Sequence, residues 1–144
     1  MGTLSNVATA NNLTDAQKIG FDMMCNCQKP IVEHEWPQFA SIIENLGKIL
    51  QKLPALYAQD GKGYDSIVYA HYFVGGTDIF VTEREGDELF GYTILNGDYE
   101  MSEFGYSNLC ELKGIRVLNL DFYWEPKTLR EALKDISSYF DRRL

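Results

Sequence analysis

Three runs rich in β-branched and aromatic residues follow one another with only short turns between them, and this pattern constrains the fold more than any other feature. They span 67–74 (IVYAHYFV), 78–83 (DIFVTE) and 88–95 (ELFGYTIL). Residues of this kind suit a pleated, half-buried surface. Gly75-Gly76 separates the first pair of runs, and Arg84-Glu85-Gly86-Asp87 the second. Connections this short join only antiparallel neighbours, because a parallel crossover needs roughly a dozen residues or more. Asn96-Gly97-Asp98 marks another turn, and 100–106 extends the meander as a less regular fourth strand. Ser107 can cap a one-turn helix at 108–113. A fifth strand is expected over 116–124, where Leu118, Leu120, Phe122 and Trp124 would share one face.

The hydrophobic period is helical on either side of this region. Thr14-Asp15-Ala16-Gln17 matches a capping box, and Ile19, Met23, Met24 and Cys27 recur at helical spacing. A first helix is expected over 14–28, ended by Pro30. A second opens near Trp36, with Pro37 in its first turn. Phe39, Ile42, Ile43, Leu46, Ile49, Leu50 and Leu53 form its apolar stripe, Gly47 weakens it by about 1 kcal/mol, and Pro54 closes it. Thr128-Leu129-Arg130-Glu131 is a second capping box. It opens a last helix with a stripe of Leu129, Leu133, Ile136 and Phe140, and with Arg142 and Arg143 in its final turn.

Helices, then a meander, then a helix make an α+β fold rather than an alternating α/β one. The expected architecture is an antiparallel four- to five-stranded meander sheet packed by a C-terminal helix, with two N-terminal helices. Residues 1–12 read as a disordered tail, 13–52 as an N-terminal helical extension and 53–144 as an acidic α+β domain, all in one folded unit. At 144 residues the chain can bury about two-thirds of its unfolded surface, enough for a core of its own. No apolar run approaches the ~18 residues of a membrane span, and the N-terminus shows no secretion signal, so a cytoplasmic location is expected. Three cysteines are too few, and odd in number, for a disulfide framework.

The net charge is −8 and it is unevenly spread. Residues 1–52 carry −1, residues 53–113 carry −8, and residues 114–144 carry +1. The acidity therefore belongs to the meander. Asp78, Glu83, Glu85, Asp87, Glu88, Asp98, Glu100 and Glu103 lie close together, with Arg84 as the single basic residue among them. Such a field opposes direct contact with nucleic acid or an anionic membrane. It suits a basic protein partner, or it keeps exposed strands from aggregating. Spaced carboxylates could also imitate a phosphate backbone. Several are expected to gather at the hairpin end around 83–88. Tyr64, Tyr69, Tyr72, Tyr92, Tyr99, Phe104 and Tyr106 lie on the same segment without interleaved basic residues, which favours core packing or a protein interface over base stacking.

Other constellations are weaker. His71 could act as a base with Cys110 or a carboxylate such as Glu83, if the fold gathers them. Cys25, Cys27 and His34 do not have the spacing of a structural zinc site. Asp60-Gly61-Lys62-Gly63 precedes a strand, whereas a phosphate-binding loop precedes a helix, so it reads as a plain turn. No cofactor is expected.

Several segments in order carry a family resemblance. They are Leu53-Pro54-Ala55-Leu56-Tyr57-Ala58-Gln59-Asp60, His71-Tyr72-Phe73, Asp78-Ile79-Phe80-Val81-Thr82-Glu83 and Leu89-Phe90-Gly91-Tyr92. Glu103-Phe104-Gly105-Tyr106-Ser107, Leu109-Cys110-Glu111-Leu112 and Asp121-Phe122-Tyr123-Trp124-Glu125-Pro126-Lys127 continue the series. Over about residues 53–130 the chain resembles a family of small bacterial, plasmid and phage domains of unknown function found on mobile elements. It departs from that pattern at Ile79-Phe80, where an aromatic pair including tryptophan is usual. The resemblance supplies no catalytic residues. It implies a context of mobile elements, often beside antirestriction and conjugation genes.

The expected function is that of a non-enzymatic accessory protein of a phage or mobile element. It would bind a protein partner through its acidic surface, and the partner would be a basic, nucleic-acid-handling host defence effector of the CRISPR or restriction type. Two alternatives stand beside it. One is a small enzyme or ligand-binding domain using His71. The other is a structural module that oligomerises through Phe39, Ile43 and Leu46.

Overall fold

The computed structural model describes residues 12–144, so the tail expected over 1–12 lies, but for Asn12, outside the described residues. Helix α1 (Asp15–Met23) starts with the capping box foreseen, Thr14 and Gln17 each bonding the other's backbone N–H. It stops five residues earlier than its periodicity suggests. Met24 is extended, and Gln28 competes for the chain: its Oε1 accepts the N–H groups of Cys25 and Leu120, and its Nε2 donates to the Leu120 carbonyl. Pro30 therefore ends no helix. It sits in the first turn of a separate short helix, α2 (Lys29–His34), where a missing N–H costs nothing. Helix α3 (Trp36–Leu50) follows, so among the described residues the N-terminal helices number three rather than two.

The fold is α+β, with a five-stranded antiparallel sheet. β2 (Ala70–Val74), β3 (Thr77–Glu85), β4 (Glu88–Ile94) and β5 (Glu103–Asn108) form the meander. Helix α4 (Leu109–Gly114) carries the chain back across the sheet, and β6 (Asn119–Leu120) adds beside β2, giving the order β5-β4-β3-β2-β6. The run at 67–74 is broken at Tyr69. Its first part, β1 (Ile67–Val68), pairs instead with β7 (Lys127–Thr128), just before the last helix, α5 (Leu129–Ile136).

The fifth strand is much shorter than expected. The Asp121 carboxylate accepts the Tyr123 N–H two residues on and turns the chain out of the sheet. Leu118, Leu120, Phe122 and Trp124 consequently do not share a face. Leu118 and Leu120 are buried toward the helices, Phe122 packs edge-on against Phe39, and Trp124 goes to the opposite side, where its Nε1–H donates to the Val68 carbonyl. Helix α5 begins with its expected capping box but ends at Ile136. Phe140 is buried on a following 3-10 turn (Ser138–Phe140), and Arg142 and Arg143 lie beyond the helix.

Each sheet face has its own core. On the helical face Ala70, Tyr72, Ile79, Val81 and Leu89 pack with Met23, Met24, Val32, Ile43, Leu46 and Leu50 of the N-terminal segment. On the C-terminal face Val68, Phe80, Tyr92 and Ile94 pack with Trp124, Leu129, Leu133 and Phe140. The N-terminal helices thus cover the β2, β3 and Leu89 part of one sheet face. Tyr72 ties them down, its buried hydroxyl donating to the Met23 carbonyl at 2.7 Å. The α3 stripe is consumed in this packing: Ile43 and Leu46 are buried and Phe39 meets Phe122, so these residues are not free to join a second copy. No described helix is long and apolar enough to cross a membrane.

Gly47 has a different role from the weakness its helix propensity suggests. A Cβ there would lie 1.7 Å from the Ala16 carbonyl oxygen, so the absent side chain is what lets α1 and α3 approach. Gly47→Ala improves intrinsic helix propensity by about 1 kcal/mol. We expect it nonetheless to destabilise the protein by about 2 kcal/mol through overpacking, measured by urea unfolding. A stabilising result would contradict the packing described.

Candidate functional site

Strand β3 gains one residue against β4. Val81 pairs with Gly91 and Glu83 with Phe90, so Thr82 is the bulged residue. Side chains alternate along a strand, and from Ile79 and Val81 the next on the helical face would be Glu83. The bulge reverses this. Glu83 turns to the C-terminal face beside Phe90, and Arg84 turns to the helical face, where its guanidinium meets Asp22 of α1 at 2.7 Å. Gly91 makes the close approach possible, since a Cβ there would lie 1.7 Å from the Phe80 carbonyl oxygen.

Glu83 is 4% exposed, and both its carboxylate oxygens are engaged. Oε1 accepts the Tyr57 N–H at 2.9 Å and Oε2 accepts the Gln59 N–H at 2.7 Å. Gln59 continues the clamp, donating through Nε2 to the carbonyls of Ile67 and Thr82. The Arg84 N–H donates to the Pro54 carbonyl. These bonds hold residues 54–60 against β3 in a shape with a cost. Tyr57 has φ 73°, the left-handed region, which is unfavourable by about 1–2 kcal/mol for a residue with a Cβ. Core packing does not explain that strain, because the Tyr57 side chain is 67% exposed.

A cleft of about 480 Å³ lies between this loop and β4–β5, with walls that include Tyr57, Phe90, Phe104 and Tyr106 and carboxylates from Asp60 and Glu83. Phe90 and Phe104 are stacked with 8° between their planes, and Tyr106 meets Phe90 edge-on at 5.0 Å. The Tyr106 phenol is pushed up to about 12, first by the Tyr57 hydroxyl beside it, then by lost hydration and by the Glu88 and Glu83 carboxylates. The surroundings of the cleft thus resist negative charge.

The eight carboxylates singled out in the sequence fall into three places. Asp78 and Glu83 are buried and have internal partners, so neither stands on the exposed acidic surface, although Glu83 also lines the cleft. Glu85, Asp87 and Glu88 are exposed at the β3–β4 turn, as expected, where Glu85 stands directly opposite Glu88. Asp98 and Glu100 are exposed beyond the other end of β4 and Glu103 beside that end on β5, about 20 Å away at strand rise. Among the described residues none of these six exposed groups is in an ion pair.

His71 is buried and its ring is held between neighbours. Nε2 meets Asp78 Oδ1 at 2.7 Å, and the ring stacks on Phe80 and Phe73 with Trp124 tilted against it. Nδ1 lies 3.6 Å from Asp121 Oδ2, beyond a good hydrogen bond. Glu83 stands about 17 Å along β3 from Asp78, and β3 and β4 separate β2 from the strand leading to Cys110. The fold therefore does not assemble His71 with Glu83 or Cys110. Burial pushes the Cys25 thiol up to about 12, Cys27 Sγ contacts the Leu118 carbonyl, and His34 lies beside Glu35 on the surface. Among the described residues no cluster of His, Cys, Asp and Glu could hold a metal ion.

Comparison with protein-family models, curated proteins and solved structures finds no match for the chain.

Replacing Glu83 by Gln turns one charge-assisted acceptor into a donor facing a backbone N–H. We expect a loss of about 2 kcal/mol in stability, with faster hydrogen exchange at the Tyr57 and Gln59 amides. Unchanged exchange at both amides would contradict the clamp.

Proposed function

We propose that this protein is a non-enzymatic binding protein that engages a basic protein partner through the acidic end of its sheet. The observation that carries this reading is the Glu85–Glu88 pair. Two carboxylates directly opposite each other across a hairpin, with Asp87 between them, destabilise the fold and gain no internal partner. A feature that costs stability and faces outward is intelligible as a contact surface. The resemblance of residues 53–130 to domains of mobile elements suggests the class of partner: a nucleic-acid-handling host defence effector, whose phosphate-binding groove such carboxylates would occupy.

Charge-driven association of this kind is screened by salt. Purified restriction and CRISPR effector complexes are the test panel, assayed at about 50 and 300 mM salt, a range over which the Debye length shortens about 2.4-fold. We expect binding to at least one effector, weakened at the higher salt and competed by nucleic acid. The triple variant Glu85→Gln, Asp87→Asn, Glu88→Gln is expected to lose that binding while gaining about 0.5 kcal/mol of stability. Absence of salt-sensitive binding across the panel would overturn the proposal.

A further inference from the structure

Resting on the reading that a basic protein is the partner, we infer that the cleft beside Tyr106 is a receptor for an arginine side chain of that partner. The ten residues lining it include two carboxylates, Asp60 and Glu83, and no lysine, arginine or histidine. Lys62, between two of the lining glycines, is exposed and lies outside the lining. Four of the ten residues are aromatic. Aromatic faces attract a cation through their quadrupole, and a carboxylate floor adds direct charge complementarity.

The carboxylate at the floor is not there by default. Simple alternation would put Glu83 under the helices, and one inserted residue brings it to the cleft. Each of its oxygens has one N–H bond, so each retains acceptor capacity, and the residue lines the cleft. Tyr57 stands over the rim in a strained backbone with most of its ring in solvent. Strained backbone of this kind clusters at ligand clamps and other functional positions. The rim continues into the acidic end: Tyr106 also borders a shallow depression with Glu88 and Glu111. A basic segment lying across Glu85 and Glu88 would therefore reach the cleft with its next side chain. A planar guanidinium can stack on aromatic faces and present paired donors to a carboxylate, which an ammonium cannot do.

The test uses three short peptides, acetyl-Gly-Ser-X-Ser-Gly-amide with X as arginine, lysine or citrulline, titrated into the full-length protein and followed by NMR. We expect the arginine peptide to shift the Tyr57, Phe104 and Tyr106 resonances and to bind more tightly than the lysine peptide. The uncharged citrulline peptide should leave those resonances in place. Tyr106→Ala is expected to weaken the arginine peptide about tenfold, and Tyr106→Phe to restore it. Unmoved cleft resonances, equal binding of citrulline, or tighter binding of lysine would each overturn the inference. If an effector binds while the peptides fail, the arginine receptor falls and the partner reading stands. If the arginine peptide binds while every effector fails, the partner reading falls.

Discussion

One extra residue in β3 sets the cleft on the C-terminal side of the sheet. Without the bulge at Thr82, Glu83 would point at α1–α3 among Ile79, Val81 and Leu89, an unaffordable place for an unpaired carboxylate. With it, the same carboxylate lies under the 54–60 loop and gathers two of its backbone N–H groups. The loop then has no freedom to relax Tyr57 out of the left-handed region. The cleft exists because β4 and β5 present aromatic side chains on that face while the clamped loop forms the opposite wall.

The two faces of the sheet divide the labour. The helical face is closed by apolar packing and by a few hydrogen bonds that fix its edges, such as Tyr72 to Met23 and Gln28 to Leu120. The C-terminal face is closed where Trp124, α5 and Phe140 reach, with Tyr64 and Tyr99 packed beside them. Beyond them Phe104 is half-buried and Tyr106 is exposed. Charge follows the same division. Two cations near the helical face, Arg84 and Lys113, both turn toward Asp22. The carboxylates at the open end of β3–β4 have no such partners among the described residues.

Much of the fold was legible in the residues. Both capping boxes and the hairpin turns have local causes, so sequence alone locates them. What was not legible depended on contacts distant in the chain. Gln28 ends α1 early because Leu120, ninety-two residues on, accepts and donates at its amide. Asp121 cuts β6 short by bonding Tyr123, which a stripe of alternating apolar residues conceals. Gly47 looks like a weak point until Ala16 is seen against it. The site was half legible. Composition pointed to the acidic meander, and Glu85, Asp87 and Glu88 stand open at the hairpin end. The bulge has no marker in the run DIFVTE, so Glu83 is indistinguishable there from an exposed strand carboxylate. Asp78 was hidden for the same reason, since only the folded register brings His71 onto it.

On the binding role proposed for the cleft, Tyr57 is held in an unfavourable backbone because its ring serves binding rather than stability. Tyr57→Gly separates the two. Glycine removes the left-handed cost of about 1–2 kcal/mol and adds somewhat less in chain entropy, so thermal unfolding should show a gain of about 0.5–1 kcal/mol. The same variant should bind the arginine peptide more weakly. A variant that is less stable than the parent, or one that binds arginine as well as the parent does, would contradict the account.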